Sequence, residues 1–172
     1  MIYKEFSEIK AIVLDVDGVL TNGVVQVNEQ GHQLRSFHVK DGYAVQLAVK
    51  SGLPIFVISG AKSEGVRMRM ESLGVREIHL GISDKLSILN KILESHQLAF
   101  ESILFIGDDI PDYQAMKVVG IAACPSDAVE EIKNIAHYIS PKAGGNGAVR
   151  DIIEKVLKIQ GKWSLDNHIK SV

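Results

Sequence analysis

Cysteine is almost absent from this chain: Cys124 stands alone among 172 residues. A single thiol excludes an internal disulfide framework and a cysteine-based zinc cluster. The six histidines are scattered and form no pair at helical ligand spacing, so zinc is not expected. Charge of one sign is also missing. Lys and Arg number 19 against 21 Asp and Glu, a net charge of −2, so the surface as a whole attracts neither nucleic acid nor an anionic membrane. No apolar run approaches the roughly 18 residues that cross a bilayer. Residues 1–10 lack a basic segment followed by an apolar one, so no signal peptide is expected and the chain reads as cytoplasmic. Internal repeats and low-complexity segments are absent.

What remains is an ordinary globular composition, 46% hydrophobic and 23% charged, at a length that suits one domain. Short apolar runs alternate with amphipathic stretches. The runs are 11–14, 54–58, 77–80, 103–106, 121–123 and 137–139. Their continuous β-rich character suits strands covered on both faces, as in a parallel sheet. Helical patterns fill 41–51, 63–73, 84–96, 127–136 and 147–159, the first two of them stopping at glycine. This alternation predicts an α/β fold, a doubly wound parallel sheet with right-handed crossovers. One segment departs from it. Residues 24–39, with a glycine turn at 29–31, read as a β-hairpin inserted after the first strand. The domain is expected over 1–161, with 162–172 as a C-terminal tail and Trp163 as its anchor.

The polar residues fall where an open sheet binds ligands, beyond the carboxyl ends of its strands. The first strand ends in Asp15-Val16-Asp17-Gly18 and the second long run in Ser59-Gly60. The run at 103–106 ends in Gly107-Asp108-Asp109-Ile110-Pro111-Asp112, and Lys85 opens the helix after the 77–80 strand. Carboxylates gathered in one cleft repel one another, and a hard divalent cation such as magnesium relieves that cost. A lysine and a serine hydroxyl beside them complement phosphoryl oxygens. A carboxylate can attack phosphorus, and a second carboxylic acid two residues on can protonate the leaving oxygen and then activate water. The pattern therefore points to magnesium-dependent phosphoryl transfer.

These residues resemble the motifs of the haloacid dehalogenase superfamily: Asp15-Val16-Asp17-Gly18-Val19 the first, Ser59 the second, Lys85 the third, Gly107-Asp108-Asp109 with Asp112 the fourth. More narrowly, the chain resembles the 3-deoxy-D-manno-octulosonate (KDO) 8-phosphate phosphatases over about residues 9–163. That likeness rests on Leu14 to Thr21, Val39-Lys40-Asp41-Gly42-Tyr43, Gly60 with Lys62, Arg69 with Leu73-Gly74, and Ala143-Gly144-Gly145 with Gly147-Ala148-Val149-Arg150. The resemblance implies Asp15 as nucleophile and magnesium ligand. It implies Asp17 as general acid/base, ligating magnesium through its backbone carbonyl, and Asp108 as the remaining protein ligand. Asp109 and Asp112 would orient metal waters or Lys85, and Ser59 and Lys85 would hold the phosphoryl group. Gly60, Lys62 and Arg69 are carried as substrate-binding candidates, and Lys62, Arg69 and Arg150 are equally candidates for the substrate carboxylate or for subunit salt bridges.

The resemblance also implies a phosphorylated sugar acid as substrate. It implies a homotetramer in which hairpin and chain terminus take part and a neighbour closes the site. No cap domain fits between Asp17 and Ser59 or between Ser59 and Lys85, so a neighbouring subunit or a large substrate must exclude water. Ala61 and Asn146 stand where the family often has Arg, and Asn22 where Asp is usual. These departures leave a nine-carbon keto-deoxy sugar acid 9-phosphate open as an alternative substrate. A receiver-type signalling module fits less well, because the acidic pair lies on the first strand. Cys124 reads as a small core residue.

Overall fold

Residues 11–14, Ala-Ile-Val-Leu, are buried at every position, as a strand covered on both faces must be. They form the central strand of the sheet. The computed structural model describes residues 2–164. Its elements are α1 (Ile2–Glu8), β1 (Ala11–Leu14), β2 (Gln26–Val27), β3 (Gln33–Leu34), α2 (Val39–Lys50), β4 (Ile55–Ser59), α3 (Glu64–Ser72) and β5 (Glu77–Leu80). The second half adds α4 (Lys85–His96), β6 (Ile103–Ile106), α5 (Tyr113–Met116), β7 (Ile121–Cys124), α6 (Glu130–Lys133), β8 (Tyr138–Ile139) and α7 (Ala148–Ile159). The six-stranded sheet runs β5-β4-β1-β6-β7-β8, with all its pairings parallel. The expected doubly wound sheet is therefore present, and no cap domain interrupts it.

The period-two geometry of β1 divides the core. Ile12 and Leu14 pack with Phe6, α2 and α7 on one face. Ala11 and Val13 pack with Leu89, Ile92, Phe105 and Met116 on the other. Helix α7 buries Ala148, Val149, Ile152, Ile153, Val156 and Leu157, the i, i+3, i+4 stripe of an amphipathic helix. Each of its valine, isoleucine and leucine side chains contributes about 1.5–3 kcal/mol on burial. The N-cap of α7, Gly147, has no side chain to offer. Asp41 of α2 serves instead, accepting from Gly147 N–H at 3.2 Å and from Arg150 N–H at 2.7 Å. The cap, worth about 0.5–2 kcal/mol, thus comes from a residue 106 positions earlier than Gly147.

Two expectations change in detail. The hairpin shrinks to two two-residue strands, β2 and β3. Both strands are exposed, and strand preference is weak where nothing packs against it. Asn28 shapes the turn instead, its Oδ1 accepting from Gln30 N–H at 3.1 Å and His32 N–H at 2.9 Å. The helix expected over 127–136 shrinks to α6, because Asp127 turns its Oδ1 to Gly144 N–H at 2.9 Å. Cys124 is a buried residue of β7, and burial pushes its thiol up to about 11. Trp163 packs edge-on against Tyr43 at 6.1 Å, with Arg150 over its ring at 5.1 Å. Of the expected tail, residues 165–172 lie outside the described residues.

Candidate active site

Strands β4, β1 and β6 are neighbours in the sheet, so their carboxyl ends open on one cleft. It measures about 350 Å³ and is lined by Asp15, Asp17, Ser59, Gly60, Lys85, Asp108, Asp109 and Asp112, with Gly18, Gly23, Ala61 and Pro111. Asp15 follows β1 directly, its N–H bonded to Ile106 O at 3.0 Å. The chain then turns sharply, the N–H groups of Leu20 and Thr21 both reaching Val16 O at 3.0 Å. Gly18 allows this turn. Its φ is +84°, and a Cβ there would lie 2.0 Å from Asp108 Oδ2. The 143–147 loop braces the turn from behind. Gly145 N–H reaches Val19 O at 3.0 Å, and a Cβ on Gly144 would lie 1.8 Å from Gly18 O.

Lys85 starts α4 behind an Asp84 cap, which accepts from Ser87 N–H at 3.0 Å. Its ammonium bridges Asp15 at 2.8 Å and Asp112 at 2.6 Å, with 3% of the side chain exposed. Burial opposes that charge, but Asp15 and Asp112 raise its pKa above the ordinary lysine value. The other Asp112 oxygen accepts from Asp108 N–H at 3.0 Å. Asp112 is thus fully engaged as a brace between Lys85 and the 108–109 backbone. Ser59 is buried at the end of β4, its Oγ accepting from Ala61 N–H at 3.2 Å.

Asp15, Asp108 and Asp112 each place a carboxylate oxygen within 4.8 Å of the others. Burial and the Asp112 carboxylate push Asp15 up to about 7 against the pull of Lys85. Burial, with Asp15, Asp112 and Asp109 around it, pushes Asp108 up to about 8. Asp108 Oδ1 is buried with no hydrogen-bond partner. A buried, unpaired, electron-rich oxygen in a ring of repelling carboxylates matches the donor set of a hard divalent cation. Asp109 caps the turn after β6, accepting from Ile110 N–H at 2.7 Å.

The comparisons with known proteins agree with this geometry. Residues 72–153 match the haloacid dehalogenase-like hydrolase family. The chain is 36% identical over 154 residues to the 3-deoxy-D-manno-octulosonate 8-phosphate phosphatase of Escherichia coli K12, covering 90% of this chain and 82% of that one. The chain belongs to the KDO 8-phosphate phosphatase family of haloacid dehalogenase-like hydrolases. Among solved structures it is similar to the Moraxella catarrhalis phosphatase of that name in complex with magnesium, phosphate and KDO. The TM-score is 0.91 at 34% identity, covering 93% of this chain and 92% of that one. The cobalt-bound Haemophilus influenzae phosphatase matches with a TM-score of 0.88 at 30% identity, covering 91% of this chain and 92% of that one.

The structure of this haloacid dehalogenase-like chain brings Asp15, Asp17, Ser59, Gly60, Lys85, Asp108, Asp109 and Asp112 into one cleft. Two of the residues singled out for substrate binding lie apart. Lys62 lines the adjoining cleft with His32, Gln33 and Ser63. Arg69 is not brought to the acidic cleft: its guanidinium lies against Gly42 of α2, Nη2 being 2.7 Å from where a Cβ would stand. The last turn of α3 thus sets this side chain beside the first turn of α2. Arg150 lies on α7, stacked over Tyr43 and Trp163 and paired with Glu154 at 3.0 Å.

One contact escaped sequence reasoning. Arg35, just after β3, grips Asp17 with both arms of a fork: Nε to Oδ1 at 2.7 Å and Nη2 to Oδ2 at 3.1 Å. Its side chain is 5% exposed. Only one signal for it exists in the chain order, a cation in the insertion that directly follows the first acidic motif.

Proposed function

We propose that this chain is a magnesium-dependent phosphatase that hydrolyses KDO 8-phosphate to the free sugar acid and phosphate. The observation that carries the reading is Asp15 at the end of β1, facing Lys85 on one side and the unpaired Asp108 oxygen on the other. The solved relative in complex with magnesium, phosphate and KDO supports the same chemistry. Asp15, Asp108 and the Asp17 backbone carbonyl would hold a magnesium ion, which when bound neutralises the carboxylates and draws charge from the phosphoryl oxygens. Asp112 is spared that duty by its bonds to Lys85 and the Asp108 N–H.

The residues then divide the reaction. An ammonium has three donors, and Lys85 spends two on Asp15 and Asp112. The third, with the Ser59 hydroxyl, holds phosphoryl oxygens. An Asp15 oxygen forms a bond to phosphorus while the bond from phosphorus to the sugar oxygen breaks. The leaving oxygen takes the electron pair and the proton of Asp17. Asp17, now a carboxylate, takes a proton from water as the water oxygen bonds to phosphorus. The Asp15–phosphorus bond breaks, and phosphate and the original carboxylate return.

Magnesium-dependent phosphate release from KDO 8-phosphate, the nine-carbon 9-phosphate and hexose phosphates tests this, with Asp15→Asn as control. The expected result is a strong preference for KDO 8-phosphate, with loss of turnover in Asp15→Asn by about a thousandfold or more. Preference for the nine-carbon ester would transfer the assignment to that sugar acid, as Ala61 and Asn146 allow. Turnover surviving Asp15→Asn would remove Asp15 as nucleophile.

The assembly belongs to the same reading: a homotetramer built around the hairpin, with a neighbour closing each uncapped site. Val24, Val27 and Leu34 of the hairpin are 56–64% exposed, an apolar edge suited to pairing with copies of itself. Sedimentation of the full chain should give a tetramer mass, and a chain ending at Gly161 should lose affinity or assembly. A monomeric full chain overturns the assembly.

A further inference from the structure

We propose that Arg35 is the positioning residue for Asp17: the hairpin arginine fixes the carboxyl group whose proton passes to the leaving sugar oxygen. The inference rests on the phosphatase reading above. Arg35 does not line the cleft, whereas Asp17 does, so any effect of Arg35 on the reacting atoms passes through Asp17. The contact is not an ordinary surface pair. The arginine side chain is 5% exposed, whereas its hairpin neighbours Gln33, Leu34 and Ser36 are exposed. Its Nη1 is buried with no acceptor. Nη2 also reaches Gln33 Oε1 at 3.3 Å, within the hairpin itself. A buried guanidinium needs acceptors for its N–H groups, and Asp17 supplies two, so hairpin placement and Asp17 orientation are coupled.

The fork geometry suits the task. Two parallel bonds from one plane fix the direction of a carboxylate, which a point-charge lysine cannot do. A carboxylate offers about four lone-pair positions. The fork takes one on each oxygen and leaves another free to carry the proton that passes to the leaving oxygen and is later taken back from water. The Asp17 side chain is otherwise 35% exposed and would swing without this grip. A misplacement of about 1 Å costs on the order of a hundredfold in rate.

The test separates esters by their need for a proton. p-Nitrophenolate leaves without protonation, whereas the sugar alkoxide requires it. Single-turnover rates of leaving-group release isolate the first step. In Arg35→Gln that rate should fall about 30- to 100-fold for KDO 8-phosphate and less than about threefold for p-nitrophenyl phosphate. KM should stay within about twofold, and Arg35→Lys should recover only part of the loss. In an Asp17→Asn background, Arg35→Gln should add nothing, the mark of two residues acting as one. Equal losses on both esters, or additive losses with Asp17→Asn, would assign Arg35 a purely structural role and overturn the proposal. No loss at all, or an effect on KM alone, would also overturn it. Wild-type inertness toward both esters with magnesium is a different failure, that of the phosphatase reading itself.

Discussion

Two of this molecule's clefts are nearly equal in size, about 350 Å³ at the strand ends and about 340 Å³ beside α7. Both are lined by charge, yet their charges are arranged in opposite ways. Beside α7, Glu154 sits between Arg150 at 3.0 Å and Lys158 at 2.6 Å. Asp151 pairs with Lys155 and accepts from Tyr138 Oη at 2.7 Å. Burial works against these carboxylates, but their lysine partners hold both below the usual carboxylate range. At the strand ends, carboxylates face carboxylates, Lys85 is shared, and Asp15 and Asp108 are pushed upward. Volume does not distinguish the clefts. What does is buried like charge held at close range, three carboxylates within 4.8 Å around one shared lysine, an arrangement that stability alone does not favour.

That contrast can be broken at Lys85 first. Lys85→Met leaves Asp15 and Asp112 without their shared cation, and removing one member of a buried charged set costs about 3–5 kcal/mol. Urea unfolding measures it, and a cost below about 1 kcal/mol would erase the difference between the clefts. The next effect is on pH. Asp15 and Asp108 bind protons more tightly folded than unfolded, so the metal-free protein loses stability as pH rises from the ordinary carboxylate value of 3.8 through about 7 and about 8. Its melting temperature should fall by several degrees between about pH 5.5 and 8.5, and magnesium should restore most of that at the upper pH, because the ion replaces the protons. A flat metal-free profile would contradict the mutual repulsion. The smallest effect belongs to the other cleft. Lys155→Met breaks an i, i+4 pair whose lysine is 41% exposed, so it should cost under about 1 kcal/mol and leave turnover unchanged.

The acidic cleft was legible in the sequence because its parts share one rule. Asp15, Ser59 and Asp108 each follow an apolar run, and a parallel sheet aligns the ends of such runs. Lys85 was legible from the same register, one helix start after β5. Arg35 was not. It lies in an exposed hairpin whose alternation carries no core signal, and its partner is 18 residues away across a turn. Arg69 shows the converse: the resemblance carried it as a substrate-binding candidate, but its guanidinium lies against Gly42 of α2 and does not line the cleft. The shorter α6 reflects competition. Asp127 serves the glycine loop at Gly144, and no local pattern announces a partner so far along the chain.

The interlock of Asp108, Gly18 and Gly144 has a consequence in time. The acidic residues occupy the first two thirds of the chain, whereas the loop that steadies their turn and the helix capped by Asp41 come near its end. A ribosome makes them in that order. The growing polypeptide therefore carries its acids long before it carries the brace that sets them in place. A chain broken off before Gly144 would hold every carboxylate of the cleft without the loop that braces their turn.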